Sequence, residues 1–98
     1  MILVVVKQKI RSKYADDWPE LISAYTEATR AEPGNISFRW YRSADDPDEY
    51  VLVETFVDRA AGDAHVAGDA FKLATEILPR YLAAVPEIIN VEVDGWST

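Results

Sequence analysis

Segments of strand and helix periodicity follow one another in the order β-α-β-β-α-β. That order predicts an α+β domain of ferredoxin-like type, a four-stranded antiparallel sheet with helices on one face. Three observations carry the prediction. β-Branched runs at both ends and in the middle alternate with period two. The segments between them place apolar residues at helical spacing, and Pro, Gly and Asp clusters punctuate the joins. With 98 residues, no repeat and no Gly/Ser linker, the chain reads as a single domain over residues 1–98.

The opening MILVVVKQKI is β-branched and apolar and reads as a strand, followed by a polar connection from Arg11 to Ala15. Asp17-Trp18-Pro19-Glu20 has the chemistry of a helix start, with Asp17 as cap, Pro19 in the first turn and Glu20 completing a capping box. Trp18, Leu21, Ile22, Tyr25, Ala28 and Thr29 then form one helical face, and Pro33-Gly34 stops it. In NISFRWYR, Ile36, Phe38 and Trp40 alternate with Ser37, Arg39 and Tyr41. Ser43 to Asp48 is turn chemistry, and Glu49 to Asp58 is the next strand, so these two strands pair as an antiparallel hairpin. Asp58 caps a helix from Arg59 to about Ala67. Gly68 breaks it, and Asp69 caps a continuation through Phe71, Ala74, Ile77 and Leu78. Pro79 kinks the helix or starts a new turn, with Tyr81, Leu82 and Val85 continuing the apolar face. Glu87 to Val93 is the last strand.

Composition excludes several functions. Without cysteine there is no disulfide framework, cysteine-ligated zinc, iron–sulfur cluster or cysteine nucleophile. A formal charge of −7 repels phosphate backbones and anionic lipid, so neither nucleic acid nor membrane is an expected partner. Ile2 to Val6, the longest strongly apolar run, is far too short to span a bilayer, and no leader peptide is visible. The expectation is a soluble cytoplasmic domain. No HExxH, P-loop, GxGxxG or GxSxG occurs, so neither metal nor cofactor is expected. The acidic run Asp45-Asp46-Pro47-Asp48 lacks calcium-loop spacing and reads as a solvated turn.

The strands are apolar on both faces. Ile2, Val4 and Val6 oppose Leu3 and Val5. Leu52 and Phe56 oppose Val51, Val53 and Val57, and Ile88 opposes Ile89, Val91 and Val93. Helices cover only one face of such a sheet. Either a second copy of the chain covers the other, making a homodimer through the sheet face, or the C-terminal tail with Trp96 folds back over it.

His65 is the one histidine, a general base or an ordinary helix-surface histidine near a C-terminus. Glu54 stands mid-strand between Leu52 and Phe56. It is either paired with Arg39 or Arg42 or has a raised pKa. Tyr25, Phe38, Trp40, Tyr41, Tyr50, Phe56, Phe71 and Tyr81 are core or dimer interface, or some of them wall a cavity for a flat aromatic molecule, with its mouth at Gly68.

The run Thr29-Arg30-Ala31-Glu32-Pro33-Gly34, a strand, Asp46-Pro47, Val51-Leu52-Val53-Glu54, then Asp58-Arg59-Ala60-Ala61 and Ala64-His65 resembles the antibiotic biosynthesis monooxygenase (ABM) domain family over about residues 2 to 93. The resemblance implies a dimeric α+β barrel and cofactor-independent oxidation of quinols or anthrone-like aromatics by O2. His65 matches the family's helix histidine and Glu54 its central strand glutamate. Trp40, Tyr50, Phe56, Phe71, Tyr25 and Tyr81 are the expected substrate contacts. Many members carry a second histidine where this chain has Ala70, and haem-degrading relatives carry a first-strand Asn that is absent here. The alternative is a catalytically silent ligand-binding or stress-associated barrel of the same fold.

Overall fold

The computed structural model describes residues 1–97. Strand β1 spans Ile2–Lys9, β2 Asn35–Arg42, β3 Glu49–Phe56 and β4 Glu87–Glu92. Between β1 and β2 lie three short helices, α1 (Ser12–Ala15), α2 (Trp18–Leu21) and α3 (Ser23–Arg30). Between β3 and β4 lie α4 (Arg59–Ala67), α5 (Asp69–Ile77) and a 3-10 turn, Leu78–Arg80. The α+β ferredoxin-like prediction matches this order. One helix was expected over the first connection; three occur, because Ile22 leaves helical geometry (φ −99°, ψ 6°) and the polar stretch Ser12–Ala15 itself coils. Asp17 caps no backbone N–H through its side chain, and neither does Asp69, whose place before α5 is taken by Gly68. Asp58 does cap α4, accepting from the Ala61 N–H at 2.8 Å.

The sheet order is β2-β3-β1-β4, all antiparallel. Val6 stands opposite both Leu52 and Ile88, so these three share the helix-covered face, as do Val4, Glu54 and Asn90. A register shift at Ile36 turns that residue out to solvent and lets Phe38 and Trp40 face inward. Ile10, Ala15, Trp18, Ile22 and Tyr50 form one core cluster, joined by Trp40 and Tyr81. Val6, Phe38 and Leu52 form a second beside Tyr25. Val85, expected on the apolar face, is 89% exposed.

The other sheet face carries Leu3, Val5, Val51 and Val53, half-buried, with Ile89 and Val91 exposed. Trp96 reaches the Ser37, Arg39, Tyr41 and Val53 corner of this face yet stays 73% exposed, so the tail does not cover it. Among the described residues no helix is long and apolar enough to cross a membrane.

Candidate active site

His65 is not a surface histidine. It projects from α4 towards the sheet and is 4% exposed. Its ring packs against Phe56 (centroids 5.1 Å apart) and Phe71 (5.4 Å), with Phe38 farther off at 6.4 Å. Two features bring it there. The Asp58 cap fixes where α4 begins, and Gly34 lets the start of β2 approach α4 closely. A Cβ at Gly34 would overlap that of Ala61 and lie 3.3 Å from its Cα.

Both imidazole nitrogens are engaged. Nδ1 lies 2.7 Å from Glu32 Oε1, and Nε2 lies 3.0 Å from the Tyr25 hydroxyl. With the ring neutral, the Nδ1–H donates to the carboxylate. The tautomer is then fixed, and Nε2 accepts from the Tyr25 O–H. Burial, followed by the charges of Glu54 and Glu32, pushes the Tyr25 phenol above its ordinary value, so it stays a donor at neutral pH. Thr29, one turn further along α3, has a buried Oγ with no hydrogen-bond partner among the described residues and adjoins that hydroxyl.

Glu54, 5% exposed, points from β3 to the same place, with Oε1 3.6 Å from His65 Nε2. That is too long for a hydrogen bond. Burial, with Glu32 as the second cause, pushes its carboxyl up to about 7. The expected partners do not reach it. Phe38 is the residue opposite Glu54, so Arg39 points to the other face, and Arg42 binds Asp16 and the Pro47 carbonyl. Neither arginine pairs with Glu54, which leaves burial to raise its carboxyl.

Glu54, His65, Phe56 and Phe71 line a cavity of about 190 Å³ between sheet and helices, completed by Ile2, Val4, Val6, Val66 and Ile88. Its mouth is not at Gly68. It opens between α4, at Arg59, Gly62 and Asp63, and the edge strand β4, at Asn90. Of the other aromatics, Tyr25 meets His65 from behind, its ring lining a separate groove between α3 and α5. Trp40, Tyr50 and Tyr81 lie apart from the cavity. Trp40 donates to Thr26, Tyr50 donates to the Ala15 carbonyl, and Tyr81 packs on Tyr14 and Trp18. The sequence motifs include Glu32 and Arg59 but give neither a site role, and Asn90 falls in no motif. Asp46 pairs with Lys9, and Asp48 accepts from Ser12, so the acidic turn is engaged locally.

The family model for antibiotic biosynthesis monooxygenases matches residues 1–76. The chain belongs to the ABM family. The matched region holds Tyr25, Glu32, Glu54, His65 and Phe71, and ends before β4, which supplies Ile88 and Asn90 to the cavity. A conserved protein from Methanosarcina mazei Go1 is 26% identical, with a TM-score of 0.85 over 92% of this chain and 89% of its own. Rv0793 from Mycobacterium tuberculosis, 24% identical, has a TM-score of 0.86 over 99% and 98% of the two chains, a likeness of fold alone. The uncharacterized protein sll1783 of Synechocystis sp. is 29% identical over 87 residues, and this chain spans 59% of its length. The ABM fold thus rests on sequence and structure alike.

Proposed function

We propose that this ABM-family chain is a cofactor-independent monooxygenase that oxidises a hydroxylated aromatic ring of the quinol or anthrone type with O2. One observation carries the reading. A Tyr25–His65–Glu32 string centred on a buried histidine and a carboxyl raised to about 7, Glu54, meet at the floor of a cavity walled by Phe56 and Phe71. A base that changes charge near neutral pH beside an aromatic slot is what deprotonating a hydroxy-arene requires.

The ring hydroxyl gives its proton to ionised Glu54, and once the Glu54 side chain closes the 3.6 Å gap the proton passes to Nε2 of His65. Glu32 holds the resulting imidazolium, as a carboxylate does behind a catalytic histidine. The Tyr25 hydroxyl then turns to accept from Nε2–H, with Thr29 Oγ available to take its own proton in a hydrogen bond. The phenolate, electron-rich and held away from water, transfers one electron to O2, and the two radicals combine at a ring carbon. For a hydroquinone the balance is one O2 consumed. One oxygen atom ends on the ring in place of C–H, the other leaves as water, and the ring becomes a hydroxyquinone. The substrate's own delocalisation takes the place of a flavin, while the cavity orients the ring and excludes water.

The exposed apolar sheet face is the surface for a second copy of the chain, giving a dimeric α+β barrel. Ile89, Val91 and Trp96, left open beside Val5 and Val53, support that assembly.

The test is oxygen uptake with a panel of reduced quinols and anthrones, without added cofactor, under an atmosphere of oxygen-18. Uptake above the protein-free rate, with one labelled oxygen atom per product, is the expected result. Uptake at the protein-free rate across the panel would contradict it.

A further inference from the structure

The cavity is polar at both ends and apolar between them. Glu54 and His65 form the floor, and Arg59, Asp63 and Asn90 the rim. At the rim, the Arg59 Nη1–H donates to Asn90 Oδ1 at 3.0 Å, bridging the gap between α4 and β4. Arg59 makes no ion pair among the described residues, although Asp63 follows it by one helical turn. Because the Asn90 oxygen is the atom that accepts from Arg59, the amide NH2 of Asn90 is turned away from that bond. It makes no hydrogen bond among the described residues. The rim therefore offers guanidinium N–H groups and an amide N–H side by side, the donor set that a carboxylate accepts.

Size narrows the ligand further. Cavities for drug-sized molecules run from roughly 300 Å³, and one of about 150 Å³ holds a single benzene ring. At about 190 Å³ this cavity is sized for one ring, and a larger ring system would extend past the rim.

Resting on the oxygenase reading above, we propose that Arg59 and Asn90 form an acid-binding rim and that the substrate is a single-ring hydroxy-arene. Its hydroxyl faces Glu54, and its carboxylate, on the far side of the ring, is held by Arg59 and Asn90. Arg59 is then the residue that sets specificity, choosing an acidic ring over a neutral one of the same size. Asp63 on the same rim repels an anion that approaches from its side, which confines the carboxylate to the Asn90 side.

The test is calorimetric binding of 4-hydroxybenzoate and 4-hydroxybenzamide, which share a shape and differ in charge, to the wild type, Arg59→Gln and Asn90→Ala. Neither probe requires oxygen chemistry. The wild type is expected to prefer the acid by about tenfold or more, a preference that Arg59→Gln abolishes and Asn90→Ala reduces. Equal binding of the two probes, binding of neither at millimolar concentration, or an equal loss of both in Arg59→Gln would overturn the proposal. Oxygen uptake with 2,5-dihydroxybenzoate against methylhydroquinone separates the two readings. Uptake without preference for the acid removes the acid-binding rim and keeps the oxygenase. Acid-selective binding without uptake on any quinol keeps the rim and removes the oxygenase.

Discussion

Glu32 Oε1 lies 2.7 Å from Nδ1 of His65, which ties the turn before β2 to α4 and fixes which imidazole nitrogen carries a proton. Glu32 is 33 residues away in sequence, and its side chain keeps about a quarter of its surface in water. It reaches in from the solvent edge to orient a histidine that has almost no contact with solvent.

The Glu32→Gln variant tests that orientation. A glutamine amide can donate to Nδ1 and so reverse the tautomer, leaving Nε2 protonated and unable to receive a proton. Turnover is expected to fall by about 10- to 1,000-fold with little change in KM. Steady-state kinetics on any accepted quinol checks it, and a rise in KM at constant kcat would make Glu32 a binding residue instead.

Glu54 costs stability whenever it is charged. Its pKa in the fold, about 7, is above its ordinary value of 4.5, so the native state holds the proton more tightly. The stabilisation is complete below about 4.5 and is lost as pH rises through about 7, a span on the order of 3 kcal/mol. Urea unfolding between pH 5 and 9 is expected to show this decline in the wild type and a flatter profile in Glu54→Gln, which is the more stable of the two at pH 8. Activity runs the opposite way, rising through about pH 7 as the base ionises, and Glu54→Gln loses that rise.

Gly34→Ala presses a methyl group onto Ala61. Overpacking at a helix contact costs about 1–3 kcal/mol, and here the strain falls on the helix that carries His65. Thermal unfolding is expected to show the loss, and adding Ala61→Gly is expected to restore part of it. No recovery in the double variant would place the clash elsewhere.

A charge at the centre of the exposed sheet face separates the copies of the proposed dimer. Val53→Asp is expected to sediment as a monomer where the wild type sediments as a dimer, with the far-UV spectrum unchanged. Wild-type protein that is monomeric at tens of micromolar would contradict the proposed barrel.

Much of the fold is legible in the sequence because period-two alternation and the Pro/Gly/Asp joins act locally. The strands and the α4–α5 break at Gly68 follow directly from those signals. The break at Ile22 does not, because the apolar face from Trp18 to Thr29 continues across it and only backbone geometry records the interruption. Burial of His65 is hidden for a related reason. Alanines and a glycine surround it on α4, so the inward face carries almost no hydrophobic contrast. Glu32 sits in a stop signal, where a carboxylate looks like a solvated turn residue. The position of Arg39 was readable, since strand alternation already places it on the face opposite Glu54. Trp40, Tyr50 and Tyr81 show the limit of counting aromatics. All three pack in the cluster built on Ile10, Trp18 and Tyr50, and none of them lines the cavity that holds the histidine.

The most direct test of the account is the oxygen-uptake rate of His65→Ala beside the wild type, on a quinol that the wild type accepts and with the protein-free rate subtracted. If His65 receives the proton from Glu54, the variant retains one-hundredth or less of the catalysed rate, on the order of what a lost acid–base group costs. A folded His65→Ala protein that turns over at the wild-type rate would remove the histidine from the mechanism, and the Tyr25–His65–Glu32 string would then be a structural network only.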